Sequence, residues 1–398
     1  MPLQAHPRFS RRLLLLYCVL LTVAGRGEAA SLSGADKGQT PAERKTFHSE
    51  TNWEVRPSLK YDTLCLLNVL SGDPYYLKYY RAEYEHFHPL FTPQENAAFT
   101  NLKAIIKDEG GGIVSAKLAL YYSAVDDETL PQMVRTARDS RKMKAALQQT
   151  PYWSEDGWQQ YERVRPSLEA ALRALGRVKF PRYWAQSAEP HIEHRIAELT
   201  PDLPKYNIVP AIEKYLGFPL PSNTITVYVL QYSEPHGIRI TGLRFLTHES
   251  YPFRIVLRNA IHESMHPPYN PRDPQVERAL ALLSSDPLVT DKVAHHDASF
   301  GYNTAAGYIE EDSVQALEQL LNEQFGVARD ARTYWIEQDG GMHVLAAAIY
   351  TDYKAALQTA PQSYSHWFVQ AVQDGQLRGE PLQNTVREFF SAGGESNR

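Results

Sequence analysis

Cysteine is almost missing from this chain: its 398 residues include two, Cys18 and Cys65. A disulfide scaffold is excluded. An extracellular animal enzyme of this size would carry several bridges, so a bacterial envelope or secreted protein fits better. Cys65 lies in the apolar run Leu64-Cys65-Leu66-Leu67 and is expected to be a buried core thiol. Positive charge is also scarce. There are 41 Lys and Arg against 46 Asp and Glu, a net −5, and no basic block, which argues against a nucleic-acid partner. Beyond the N-terminal segment no apolar run reaches the length of a membrane span. Gly110-Gly111-Gly112 is not followed by Lys-Ser or Lys-Thr, so a phosphate loop is not expected.

At the N-terminus, Arg8, Arg11 and Arg12 precede the apolar run Leu13 to Ala24, and Gly27 and Ala29 follow as small residues. That order predicts a signal peptide over residues 1–30 and an exported, periplasmic or secreted protein with no transmembrane segment after cleavage. Removing its four Arg and one Glu leaves 37 basic and 45 acidic residues, a net −8. Residues 31–52 are polar and predict a flexible tail. Residues 53–215 read as an all-helical region, with segments at Tyr75–Tyr80, Ala97–Lys107, Val114–Tyr122, Glu128–Gln148, Trp158–Leu175 and Glu193–Leu199. Two β-rich runs follow, Thr224–Tyr232 and Gly237–Thr247, with Gly242 marking a bulge or close backbone approach.

The next segment carries the chemistry. Residues 262–266 read His-Glu-Ser-Met-His. On a helix His262 and His266 stand one turn apart on one face, so both imidazoles can reach a single Zn²⁺ ion. Two histidines and a third protein ligand leave one zinc position open, as catalysis requires, and Glu263 is placed to take a proton from the attacking water. Phe253, Val256, Leu257, Ala260, Ile261 and Met265 form the buried stripe of this helix. Ser250 is a candidate N-cap, and Pro267-Pro268 predict a stop at or just after His266. Downstream, Gly307–Leu321 predicts a helix that opens with Glu310, Glu311 and Asp312, acidic residues that also suit its dipole. Helical spacing alone leaves Glu310 and Glu311 both open as the third ligand.

This order of elements resembles the gluzincin, or thermolysin-like, metallopeptidases, which pair a His-Glu-x-x-His helix with a glutamate on a later helix. The resemblance covers about residues 220–350. In that family the ligand glutamate has apolar neighbours two before and five, six, nine and ten after. Ile309, Ala316, Leu317, Leu320 and Leu321 reproduce the pattern around Glu311, which the resemblance therefore implies as ligand, with Glu310 the runner-up. It also implies His343, in Gly340-Gly341-Met342-His343, as oxyanion stabiliser; near the expected glutamate helix, Tyr302 and Tyr308 are alternative donors in the sequence. Two departures stand out. His266 and Glu311 are 45 residues apart, about twice the family's spacing, so Pro267–Phe300 reads as an inserted lid or loop with a short helix near Val276–Leu283. The aspartate that follows the family's ligand glutamate by four residues is Gln315 here, so support for the zinc histidines has to come from elsewhere.

The fold class expected is α+β, predominantly helical: a zincin-like domain over residues 216–390 with a small antiparallel sheet, preceded by the all-helical region. The function expected is that of a zinc-dependent peptidase acting on a peptide or protein substrate. The competing reading is a helical envelope binding or scaffold protein with a structural or degenerate metal site. His295-His296-Asp297 is read as a solvated loop, and His191/His194 and His86/His88 as surface or helix-flank residues.

Overall fold

Seven residues rich in branched and aromatic side chains, Thr224–Leu230, form β2, and six of them are buried. In this computed structural model, which describes residues 46–297, 300, 302–360 and 362–391, β2 lies inside a four-stranded sheet. Its neighbours are β1, Asn52–Pro57, and β4, Arg244–His248, both parallel to it. β3, Ile238–Ile240, pairs antiparallel with β4 at one edge. The sheet is therefore mixed, not the antiparallel one expected. The second β-rich run does not continue as one strand; it turns back at Gly242, whose φ of +75° suits glycine, so that residue makes a hairpin turn and not a bulge.

β1 also corrects the expectation of an all-helical region after a polar tail. Trp53 and Val55 alternate with more exposed Asn52 and Glu54, a two-residue period that places one row of side chains against the protein. Asn52 starts the strand, and before it His48 hydrogen-bonds the buried Glu213 carboxylate. The segment 1–30 read as a signal peptide, and the expected tail as far as residue 45, lie outside the described residues.

The other elements are helical. Glu128–Gln148, read as one helix, is two, Leu130–Arg138 and Arg141–Leu147, separated where Asp139 turns extended. Ala97–Lys107 spans the end of the helix Pro93–Lys103 and a π-turn at Ala104–Glu109. The motif helix runs from Phe253 to Ser264 behind Pro252, while the Ser250 hydroxyl bonds His248 and is not its cap. It stops two residues before His266, ahead of the Pro267-Pro268 pair. The glutamate helix spans Ala305–Gln324 and is capped by Thr304. In the expected insertion, the helices Pro274–Ser284 and Pro287–His295 pack on the glutamate helix. Cys65 is buried as expected. Among the described residues no helix is long and apolar enough to cross a membrane.

Candidate metal centre

The motif helix packs on β4 and on the glutamate helix, which brings the two halves of the site together. His262 Nε2 and His266 Nε2 lie 3.1 Å apart. Glu311 places Oε1 3.7 Å from His262 Nε2 and Oε2 3.7 Å from His266 Nε2. Two imidazole nitrogens and one carboxylate oxygen around a tetrahedral zinc, with bonds of about 2.1 Å, are separated by about 3.4 Å. Each histidine nitrogen has a Glu311 oxygen near that spacing, and among the described residues the three side chains form a buried group that can hold a metal ion.

The far side of each histidine ring supports the same assignment. His262 Nδ1 is 3.1 Å from Glu318 Oε2, and His266 Nδ1 is 3.0 Å from Glu310 Oε1. Donation from Nδ1 to these carboxylates fixes the tautomer that turns each Nε2 lone pair towards the other. Two converging lone pairs and a buried carboxylate attract a cation. Among the described residues Glu311 Oε2 has no hydrogen-bond partner, and it faces His266 Nε2 at 3.7 Å. Glu263 is 5% exposed and shares the helix face of the two histidines.

Sequence reasoning missed one of these supports and misplaced another. Glu310, the runner-up ligand, orients His266 instead. Glu318 was not singled out, although it stands two turns after Glu311 on the same helix face. It is held by Asn322 Nδ2 at 2.8 Å. Gln315, where the family has aspartate, donates to Glu311 Oε1 at 2.9 Å, and its own carbonyl accepts from Trp335 Nε1 at 3.0 Å.

His343 is brought next to the site but faces a different way from the role expected of it. It is fully buried, with Nδ1 2.6 Å from Asp312 Oδ1 and Nε2 3.0 Å from Asp339 Oδ2. The second contact depends on a left-handed turn, with φ of +46°, +66° and +77° at Asp339, Gly340 and Gly341, that folds Asp339 back onto the ring. Both ring nitrogens are committed to carboxylates, which leaves neither for an oxyanion. Tyr308 is likewise engaged, donating to Met342 O at 2.8 Å, and Tyr302 packs edge-on against His343. The other histidine groups lie away from the centre: exposed His295 pairs with Asp291, His194 with Glu198, and His86 stacks on Tyr183.

Burial would lower His343, but Asp312 and Asp339 outweigh it and raise the imidazole to about 10. A raised folded-state value means that its stabilisation is complete below the unfolded value of about 6.5 and is lost as pH rises towards 10. The stability gap between wild type and His343→Gln, measured by urea unfolding, is therefore expected to be largest near pH 6 and to narrow between pH 7 and 10. A gap that widens with pH would contradict the ion-pair arrangement.

Compared with known proteins, the chain matches no family model, no curated protein and no solved structure.

Proposed function

We propose that the protein is a zinc-dependent hydrolase, a peptidase that cleaves peptide bonds in an exported compartment. The observation that carries this reading is the buried convergence of His262, His266 and Glu311 with Glu263 on the same face. His262, His266 and Glu311 would hold the ion. When bound, zinc supplies Lewis-acid polarisation of a substrate carbonyl and acidifies water. Glu263 takes a proton from the attacking water and passes it to the leaving nitrogen. Glu318, Glu310 and Gln315 hold the three ligands in place through the hydrogen bonds described. Every one of the four central residues is 5% exposed or less, so substrate entry requires covering segments to move.

Near-complete burial also favours the second reading, a structural metal site in a binding or scaffold protein. Glu263 separates the two: a catalytic site needs its carboxylate for proton transfer, whereas a structural site needs only the three ligands. The expected outcome for the mature, zinc-loaded protein is cleavage of a diverse peptide library, abolished by 1,10-phenanthroline and restored by added Zn²⁺. Cleavage insensitive to the chelator, or none with zinc bound, contradicts the peptidase reading.

A further inference from the structure

On elements that carry no residue of the metal centre, the helices Leu130–Arg138 and Glu155–Arg177 pack side by side and leave an open groove of about 520 Å³. The two helices are antiparallel. Arg138 bonds Glu169 at one end, and at the other a Cβ on Gly176 would stand 3.7 Å from Leu130 Cδ2. Eight helical steps from Leu130 to Arg138 give the groove a length of about 12 Å. Pro131, Val134 and Pro181 line it with apolar surface over the buried Leu130.

The charges around the groove have one sign. Arg138, Arg173, Lys179 and Arg182 line it, and among the described residues no acidic side chain does. Its ends differ. Arg138 Nε and Arg173 Nε each lie 3.0 Å from Glu169 Oε1, so the charge at that end is partly met. At the other end neither Lys179 nor Arg182 has a side-chain hydrogen bond or ion pair among the described residues. Lys179 joins the helix Glu155–Arg177 to the helix Phe180–Ser187 with a φ of +59°, which glycine adopts freely and lysine does not. Residues 130–182 carry eleven basic and five acidic residues, a net of +6 in a chain of net −5. Unmet cations beside a strip of apolar surface select an anion with an apolar body.

We propose that this groove binds a fatty-acid anion, whose carboxylate pairs with Lys179 and Arg182 and whose acyl chain lies over Pro131 and Val134 towards Arg138. The guanidinium fork and the ammonium both suit a carboxylate. A membrane surface fits less well, because the apolar strip is recessed between two helices. The proposal is independent of the peptidase reading.

The test is calorimetric titration of the mature protein with three probes, all below micelle-forming concentrations. Dodecanoate has chain and charge, dodecyl maltoside has the same chain without charge, and acetate has the charge without the chain. Dodecanoate is expected to bind at least tenfold more tightly than either control, and more weakly as salt rises. Lys179→Gly, which suits the left-handed φ, combined with Arg182→Gln is expected to lower dodecanoate affinity about tenfold with the fold intact by circular dichroism. Val134→Asp is expected to abolish binding, and if that variant unfolds the double variant decides alone. Equal affinity for dodecanoate and dodecyl maltoside, or wild-type affinity in the double variant, overturns the proposal. So does a wild type that binds no dodecanoate; sedimentation with anionic phospholipid vesicles in that case would make the face a membrane contact.

Discussion

Glu263→Gln is expected to lower kcat by about 10²–10⁴-fold while leaving zinc bound. The substitution is nearly isosteric, so a side chain that is 5% exposed keeps its packing. What it removes is the carboxylate that takes up a proton, and glutamine has no basic oxygen to replace it. The ligand set, His262, His266 and Glu311, is untouched, so metal content and thermal stability should stay near wild type. KM should change little, because the lost interaction acts in the transition state. Unchanged turnover in Glu263→Gln would make the centre structural, and loss of zinc would make Glu263 a ligand.

The second large effect concerns folding. Asp312→Ala is expected to destabilise the protein by about 3–5 kcal/mol in urea unfolding of the zinc-saturated protein. Asp312 and His343 are both fully buried, and their contact is 2.6 Å. Asp312 Oδ2 also accepts the Ala346 N–H at 2.9 Å, at the start of the helix Val344–Thr359. Alanine leaves an imidazolium with one carboxylate partner instead of two, an unpaired backbone donor and a void. Asp312→Asn keeps an acceptor and the volume, and should fall between wild type and Asp312→Ala. A loss below about 1 kcal/mol for Asp312→Ala would mean that the His343 pair is not formed in solution.

The parts of this site legible in the sequence were those set by local periodicity. Helical spacing alone placed His262 and His266 on one face, with Glu263 beside them, and predicted the glutamate helix. Local spacing could not choose between Glu310 and Glu311, because adjacent residues on a helix differ by about 100° and the direction of the partner helix is a tertiary fact. The apolar pattern borrowed from the gluzincin resemblance pointed to Glu311, the glutamate that meets both histidines here. Resemblance misled for His343, since a Gly-Gly-x-His string says nothing about Asp312 and Asp339, which meet the ring from 31 and 4 residues away.

The sheet shows the same division. β2 was readable from its branched and aromatic residues, but β1 pairs with it across a long sequence separation, Asn52 with Thr224, and no local signal encodes a parallel partner. Gly242 was noticed without its consequence. A glycine in a β-rich run signals a bulge or a turn equally, and the outcome was decided by β4 pairing in parallel with β2. Gln315 stands where the resembled family has an aspartate; here it bonds Glu311, and Glu318 and Glu310 are the carboxylates behind the two rings, which only three dimensions show.

The most direct measurement is the zinc content of the purified mature protein by mass spectrometry, for wild type, Glu311→Ala and Glu310→Ala. About one zinc per chain is expected in wild type and almost none in Glu311→Ala. Glu310→Ala should retain zinc with an affinity weaker by about 10–100-fold, because it loses the support of His266 but no ligand. A wild-type protein that takes up no zinc after reconstitution, or a Glu311→Ala variant that binds it as tightly as wild type, would contradict the metal centre described here.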